Sequence, residues 1–171
     1  SFINFPYPPD GKENNGGFNL LKNPQDIDKI TELQKFPALR KHIAWINFES
    51  KKYRSFGCDG GWDEGVFAAY IEFSFRDSEL AKRRELYQEI FDAFELHTTR
   101  RYPEMATSIL RSVSPRMVQF RENGHVFGYK IALWVFAQSP DAANQLLYLF
   151  FGFLFWQSPP NRLLINFFIF I

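Results

Sequence analysis

The sequence predicts an α+β fold in which an antiparallel sheet of four to five strands packs against helices. Residues 66–75, VFAAYIEFSF, alternate between apolar and other side chains, which is typical of a half-buried strand. Residues 76–102 change to a helical period with one apolar stripe. The third signal is an Asn-Gly pair between two alternating runs, which predicts a hairpin at 117–136. Strands and helices that follow in separate groups favour antiparallel pairing with helices on one face.

The predicted order is one helix, two or three strands, two helices, the hairpin strands and a last helix. Asn23 and Pro24 are expected to start the first helix, because Asn caps helices and Pro suits their first position. His42–Phe48 is expected to be a strand because of its branched and aromatic residues, although the segment also fits a helical turn. A short strand at Tyr53–Phe56 is expected before the strand at 66–75.

In the second half, the acidic residues at the start of segment 76–102 and the basic residues at its end match the polarity of a helix dipole. Pro103 ends this helix and is expected to begin another, to Val113. The hairpin strands are expected at Met117–Glu122 and His125–Phe136, joined by a type I′ turn at Asn123-Gly124. Ser139 and Pro140 predict the start of the last helix.

The length of 171 residues fits one domain with a substantial core. We expect an extended N-terminal arm at 1–17, a domain at 18–157 and an apolar C-terminal extension at 158–171. The net charge of +1 gives no global attraction to nucleic acid or anionic membranes. A single cysteine and a start without the order of a signal peptide predict a cytoplasmic protein.

The C-terminal region contains two apolar blocks, Leu146–Trp156 and Leu163–Ile171, separated by QSPPNR. A membrane-spanning helix needs about 20 continuous apolar residues, and the two prolines prevent one helix from joining the blocks. We therefore expect no membrane span. Contact of this tail with a partner or a membrane surface stays open, because a monomer rarely exposes a large apolar surface.

The segment FGCDGGWDEG, residues 56–65, concentrates rare residues and is expected to be a loop that turns at Gly60-Gly61. Its residues Gly57–Gly61 resemble the Gly-Cys-Asn/Asp-Gly-Gly segment of papain-like cysteine proteases. That resemblance implies a disulfide for the cysteine and a nucleophile in a separate motif. Cys58 is the only cysteine of the chain, so both are missing and we attribute the match to chance.

Metal and cofactor motifs are absent from the sequence. The histidines stand at 42, 97 and 125 without metal-ligand spacing, and no phosphate-binding glycine pattern is present. The acidic residues around Trp62 lack the dense alternating ligands of a calcium loop. We therefore predict no metal, no cofactor and no catalytic residues.

Residues 69–73, AYIEF, resemble the second half of the aromatic-strand motif of RNA-recognition modules, whose sheet aromatics stack on bases. Ala68 occupies an aromatic position of that motif, and Glu64-Gly65 replaces its basic start. The residues of this nucleic-acid alternative are Lys51, Lys52, Arg54, Tyr70, Arg100 and Arg101.

The leading hypothesis is a non-catalytic module that binds another protein, or a second copy, through aromatic surface at the sheet or the C-terminal tail. The element order is similar to that of small secretion-chaperone-like domains, and an inhibitor or immunity protein fits equally. The candidate binding residues are Cys58, Asp59, Trp62, Tyr53, Phe153 and Trp156. A small enzyme or ligand-binding protein, with loop 57–64 at a pocket mouth, is kept as the rival.

Overall fold

The chain forms two sheets and a layer of helices. The computed structural model describes residues 1–9 and 17–157. Its strands are β1 (Ile3–Phe5), β2 (Tyr53–Asp63), β3 (Val66–Phe75), β4 (Ile109–Val113), β5 (Val118–Phe120), β6 (Val126–Gly128) and β7 (Ile131–Ala137). Its α-helices are α1 (Glu32–Lys35), α2 (Leu39–Ala44), α3 (Ser78–Ala81), α4 (Arg84–Arg101), α5 (Pro103–Ala106) and α6 (Pro140–Gln157).

The larger sheet has four antiparallel strands in the order β2-β3-β7-β4, which confirms the predicted α+β class. The smaller sheet has the order β1-β5-β6, with β1 parallel to β5. Phe5 of β1 is fully buried, and its ring lies 5.0 Å from that of Phe56. The first residues of the chain therefore join the core through an aromatic contact.

The helices cover one face of the larger sheet. On β3, Phe67, Ile71 and Phe73 point to this face and are buried, as the alternation predicts. The ring of Phe73 lies 6.0 Å from Phe150 of α6, which in turn lies 4.8 Å from Phe94 of α4. The core is thus a stack of aromatic rings between β3, α6 and α4.

Helix α4 confirms the predicted amphipathic helix, but the segment contains a break. Asp77 caps α3 by accepting hydrogen bonds from the backbone N–H groups of Glu79 and Leu80. After that short helix, α4 buries an apolar stripe (Tyr87, Phe91, Phe94) and exposes the acidic stripe (Glu85, Glu89, Asp92).

Helix α6 begins where the sequence predicts. The Ser139 hydroxyl accepts a hydrogen bond from the backbone N–H of Ala142, and Pro140 occupies the first helical position. Leu147, Phe150 and Leu154 are fully buried, so most of the first C-terminal apolar block is core. No helix among residues 1–9 and 17–157 is both long and apolar enough to cross a bilayer. The second block, Leu163–Ile171, lies outside the described residues.

The predicted strand at His42–Phe48 is wrong. The segment belongs to α2 and a π-helical turn at Trp45–Glu49. Leu39, Ile43 and Ile46 are all buried, and their spacing of four and three places them on one helical side. This helical spacing outweighs the β-propensity of the individual residues.

The predicted helix from Pro103 to Val113 is also wrong beyond Ala106. Residues Ile109–Val113 form β4, which pairs antiparallel with β7. Ile109 is buried and Leu110 is exposed, so the burial alternates as in a strand. The apolar residues of this segment fit either period, and pairing with the adjacent edge of β7 decides between them.

The predicted hairpin is confirmed, with a different turn. Strands β5 and β6 pair antiparallel, but Gly124 has φ +69° and Asn123 does not have a positive φ, so the turn is not type I′. The backbone N–H of Phe120 donates to the carbonyl of His125 and closes a four-residue loop. The second predicted strand is divided after Gly128 into β6 and β7. A Cβ on Gly128 would lie 2.6 Å from Ala81, so the chain passes close to α3 at this point.

The expected loop at residues 56–65 is wrong, because β2 runs through Gly60 and Gly61 to Asp63. The chain turns instead at Glu64-Gly65, between the paired residues Asp63 and Val66. Both turn residues have positive φ, 46° and 82°, as a type I′ turn requires. Strand β2 therefore brings alternate residues of this segment to opposite faces of the sheet.

Candidate functional site: the open face of the larger sheet

The strand register places four side chains in one row across the sheet, on the face opposite the helices. Asp59 of β2 pairs with Tyr70 of β3, Tyr70 pairs with Trp134 of β7, and Trp134 pairs with Leu110 of β4. Directly paired residues of antiparallel strands lie on the same face. The row therefore crosses all four strands and carries two aromatic rings at its centre.

The rings of this row form a contact cluster with Phe136. The ring centroids of Tyr70 and Trp134 are 4.6 Å apart, and Trp134 and Phe136 are nearly parallel at 6.1 Å. Trp134 of the inner strand β7 is 37% exposed, and Leu110 of the edge strand β4 is 56% exposed. We call Tyr70, Trp134, Phe136 and Leu110 the aromatic face.

Small residues extend the aromatic face toward the β2–β3 turn. Gly61 and Ala68 pair with each other, and Ala68 pairs with Phe136. A Cβ built on Gly61 would meet no atom within 4 Å. The sheet surface at Gly61 is therefore open, and together with the aromatic face it forms a shallow accessible shelf.

The N-terminal arm covers the sheet on the other side of the aromatic row. Gly57, Glu72 and Ala132 form the neighbouring row, and a Cβ on Gly57 would lie 3.3 Å from the Tyr7 ring. Lys130 forms an ion pair with Glu72 and donates a hydrogen bond to the Tyr7 hydroxyl over 2.7 Å. This partly buried polar network marks the edge of the accessible surface on the side of the N-terminal arm.

The charges around the aromatic face are negative. From Ser55 to Phe75 the sequence contains four acidic residues and no Lys, Arg or His. Glu72 is neutralised by Lys130, whereas Asp59, Asp63 and Glu64 form no ion pair with the described part of the chain. Burial raises the pKa of Tyr70 to about 12, and the nearby Asp59 contributes to the rise. The local field therefore favours cations.

The structure separates the residues that the sequence analysis grouped as a binding site. Asp59 lies on the open face, but Cys58 belongs to the buried row with Ile71 and Leu133. Burial raises the pKa of the Cys58 thiol to about 12, which disfavours a nucleophilic thiolate. Trp62 is 61% exposed at the end of β2, on the helix side, with its ring 5.5 Å from Phe67.

The other candidate binding residues contribute to the core. Tyr53 is buried, with its ring 6.0 Å from that of Phe73. Phe153 is buried and lies 5.4 Å from Phe94. The side chain of Trp156 lies outside the described part of the structure.

The residues of the nucleic-acid alternative do not form one surface. Tyr70 lies on the aromatic face, whereas Arg54 is buried with its guanidinium 4.8 Å from the Phe120 ring and 5.1 Å from the Phe56 ring. Lys51 and Lys52 precede β2, at the opposite end of that strand from the β2–β3 turn. Arg100 and Arg101 end α4 in the helix layer. The rings of the aromatic face and these basic groups are thus on different parts of the protein.

The cavity beside Cys58 is small. It encloses about 40 Å³ and is lined by residues that include Tyr7, Glu32, Cys58 and Tyr70. Ligand pockets usually measure about 300–1,000 Å³, so this cavity is too small for an organic ligand and has room for water only. A wider groove of about 490 Å³ lies beside the smaller sheet, between Phe18 and Phe120. Among residues 1–9 and 17–157, no group of three or more His, Cys, Asp or Glu side chains could hold a metal ion.

Sequence reasoning missed Trp134, Phe136 and Leu110. In KIALWVF the aliphatic residues Ile131, Leu133 and Val135 alternate with Trp134 and Phe136, so two aromatic residues occupy the face opposite the core. That alternation was the available signal. For Leu110 the sequence offered no comparable signal, because its segment was expected to be helical.

Comparison with known proteins gives no match: no family model matches the sequence, and no curated protein or solved structure is similar to it at a significant level.

Proposed function

We propose that this chain is a non-catalytic module that binds another protein through the aromatic face. The observation that carries the proposal is the Asp59–Tyr70–Trp134–Leu110 row on the sheet face opposite the helices, in which Trp134 is 37% and Leu110 is 56% exposed. Tryptophan and tyrosine are enriched among the residues that dominate binding energy at protein interfaces.

The shape and charge of the surface support a protein partner over a small molecule or a nucleic acid. The aromatic face is a shallow shelf, whereas small ligands bind in concave pockets. A nucleic acid needs cations along its phosphates, but the segments 55–75 and 131–141 carry five acidic residues and no basic ones. Self-association through the same face is an alternative, and light scattering distinguishes a dimer of this chain from a monomer that binds another protein. The cytoplasmic location remains a prediction.

The proposal can be tested by capture from a lysate of the source cells. The bait proteins are the wild type, Trp134→Ala combined with Phe136→Ala, and a matched control with Leu96→Ala combined with Tyr102→Ala. The control removes two exposed apolar side chains from the helix layer, at 56% and 43% exposure. We expect one protein to be retained by the wild type and the control and lost with the Trp134/Phe136 variant.

The captured protein is then purified and titrated against the same three baits by calorimetry. Loss of a central tryptophan typically costs 2 kcal/mol or more, so Trp134→Ala alone should weaken binding by about 30-fold. Circular dichroism checks that each bait is folded. Equal capture by all three baits, or no protein retained above the background of the resin, contradicts the proposal.

A further inference from the structure

We propose that the partner presents a cationic surface, with arginine side chains that stack on Trp134 and Tyr70 and pair with the carboxylates beside them. This inference rests on the proposed function, because it names the chemistry of the partner for the same site. It is carried by the position of the free carboxylates relative to the aromatic rings.

The carboxylates occupy the edges of the aromatic face. Asp59 is the direct cross-strand neighbour of Tyr70 in the aromatic row. One of its carboxylate oxygens accepts a hydrogen bond from the backbone N–H of Gly60 over 2.8 Å, which orients the group. Asp63 and Glu64 lie exposed at the β2–β3 turn, two rows further along the sheet. A partner on the shelf thus meets negative charge at two of its sides.

Within residues 1–9 and 17–157, these carboxylates have no paired cation. Lys130, which directly precedes β7, is held by Glu72 and Tyr7. Arg111 of β4 pairs with Leu133 and therefore lies on the face that the helices cover. There it forms an ion pair with Glu95 of α4. Among the described residues, no ion pair involves Asp59, Asp63 or Glu64, so their charges are left for a partner.

Arginine fits both components of this surface. Its planar guanidinium stacks on aromatic rings and pairs with carboxylates, whereas the ammonium of lysine acts as a compact point charge. The protein uses the same contact elsewhere, since the Arg84 guanidinium lies 4.7 Å from the Tyr129 ring centre. The exposed side of the Trp134 ring offers a similar stacking surface to an arginine of the partner. Tyr70 lies on the next strand, and the Asp59 carboxylate lies on the strand after that.

The test uses an octa-arginine peptide as a defined cationic probe, with octa-lysine as the comparison. The indole N–H resonances of Trp134, Trp62 and Trp45 are followed by NMR in ¹⁵N-labelled protein during titration. We expect octa-arginine to shift the Trp134 resonance most, with octa-lysine weaker, and we expect half-buried Trp45, beside α6, to stay unchanged. Higher salt should weaken the binding, because exposed charges are screened.

The decisive variant removes the three negative charges at once, by the substitutions Asp59→Asn, Asp63→Asn and Glu64→Gln. The matched control neutralises the acidic stripe of α4 (Glu85→Gln, Glu89→Gln, Asp92→Asn) and changes the net charge by the same amount. We expect the apparent Kd for octa-arginine to rise about tenfold in the first variant and less than twofold in the second. Equal effects, or no shift at Trp134, overturn the inference.

The two proposals fail in different ways. If a captured protein requires Trp134 but binds the neutralised Asp59/Asp63/Glu64 variant as tightly as the wild type, the cationic partner is wrong and the binding function stands. If capture is indifferent to Trp134, the proposed function fails and this inference fails with it.

Discussion

Tyr70 and Trp134 lie opposite each other on adjacent strands, with their ring centroids 4.6 Å apart and their planes inclined by 36°. Each ring restrains the other, so the exposed side of Trp134 is held in place before any partner arrives. A preorganised aromatic surface loses little side-chain entropy on binding. This pair is therefore the centre of the proposed docking surface.

The first prediction concerns stability. Replacing Trp134 by Ala removes ring contacts at a partly exposed site and should lower the free energy of unfolding by about 1 kcal/mol. Phe73→Ala, which empties a fully buried site between the sheet and α6, should cost about 3–5 kcal/mol. Urea unfolding measures both. Equal losses would place Trp134 in the core and remove the distinction between binding and folding residues.

The second prediction concerns Cys58. Because burial raises the pKa of its thiol to about 12, the thiolate fraction at pH 8 should be roughly a thousandfold lower than for an exposed cysteine. A disulfide reagent such as dithionitrobenzoate should react slowly with the native protein and rapidly in 6 M guanidinium. Rapid reaction of the folded protein would restore the enzyme hypothesis.

The third prediction concerns acid stability. His42 is buried between α2 and α6, with its Nε2 2.9 Å from Asn144 Oδ1, and burial lowers its pKa. The unfolded chain therefore binds the proton first as the pH falls below about 6.5. The free energy of unfolding should decline from pH 7 toward pH 5, by about 1 kcal/mol per pH unit at most from this group.

The control for His42 is His42→Gln, whose amide can replace the hydrogen bond to Asn144 without titrating. Unfolding curves at pH 7.5 and 5.5 should show a smaller decline in this variant than in the wild type. His97 has a lowered pKa from burial too, but it is present in both proteins and cancels in the comparison. Parallel declines would mean that His42 does not control acid stability.

The fourth prediction concerns the largely buried pair of Lys130 and Glu72, whose side chains are 11% and 13% exposed. Lys130→Met leaves the Glu72 carboxylate buried without its cation and should destabilise the protein by about 3–5 kcal/mol. Combining it with Glu72→Gln should recover most of that loss, because no unpaired charge remains. A double variant as unstable as the single one would show that packing against Tyr7, not charge pairing, is what Lys130 supplies.

The sequence predicted those elements whose local pattern and tertiary role agree. The alternation of 66–75 and the amphipathic stripe of α4 each have one strong period, and Ser139-Pro140 starts α6 as expected. The segments at His42–Phe48 and Ile109–Val113 were misassigned because their apolar residues fit two periods. In these cases packing between distant parts of the chain decides the structure.

The candidate site was predictable only in part. Trp62 and Cys58 stand out in the sequence because they are rare, but the face on which each lies depends on the register of β2. Treating residues 56–65 as a loop removed that alternation, so Asp59 could not be separated from Cys58. Burial of Cys58 and exposure of Trp134 are consequences of where the helices and the N-terminal arm pack, which no short pattern encodes.

The most direct test of the central claim is calorimetric titration of the captured partner with the wild type, Trp134→Ala and Trp62→Ala. Both tryptophans are exposed, but they lie on opposite faces of the larger sheet. If the aromatic face is the binding surface, the affinity falls by about 30-fold with Trp134→Ala and less than threefold with Trp62→Ala. An unchanged affinity with Trp134→Ala, in a variant that remains folded, would contradict it.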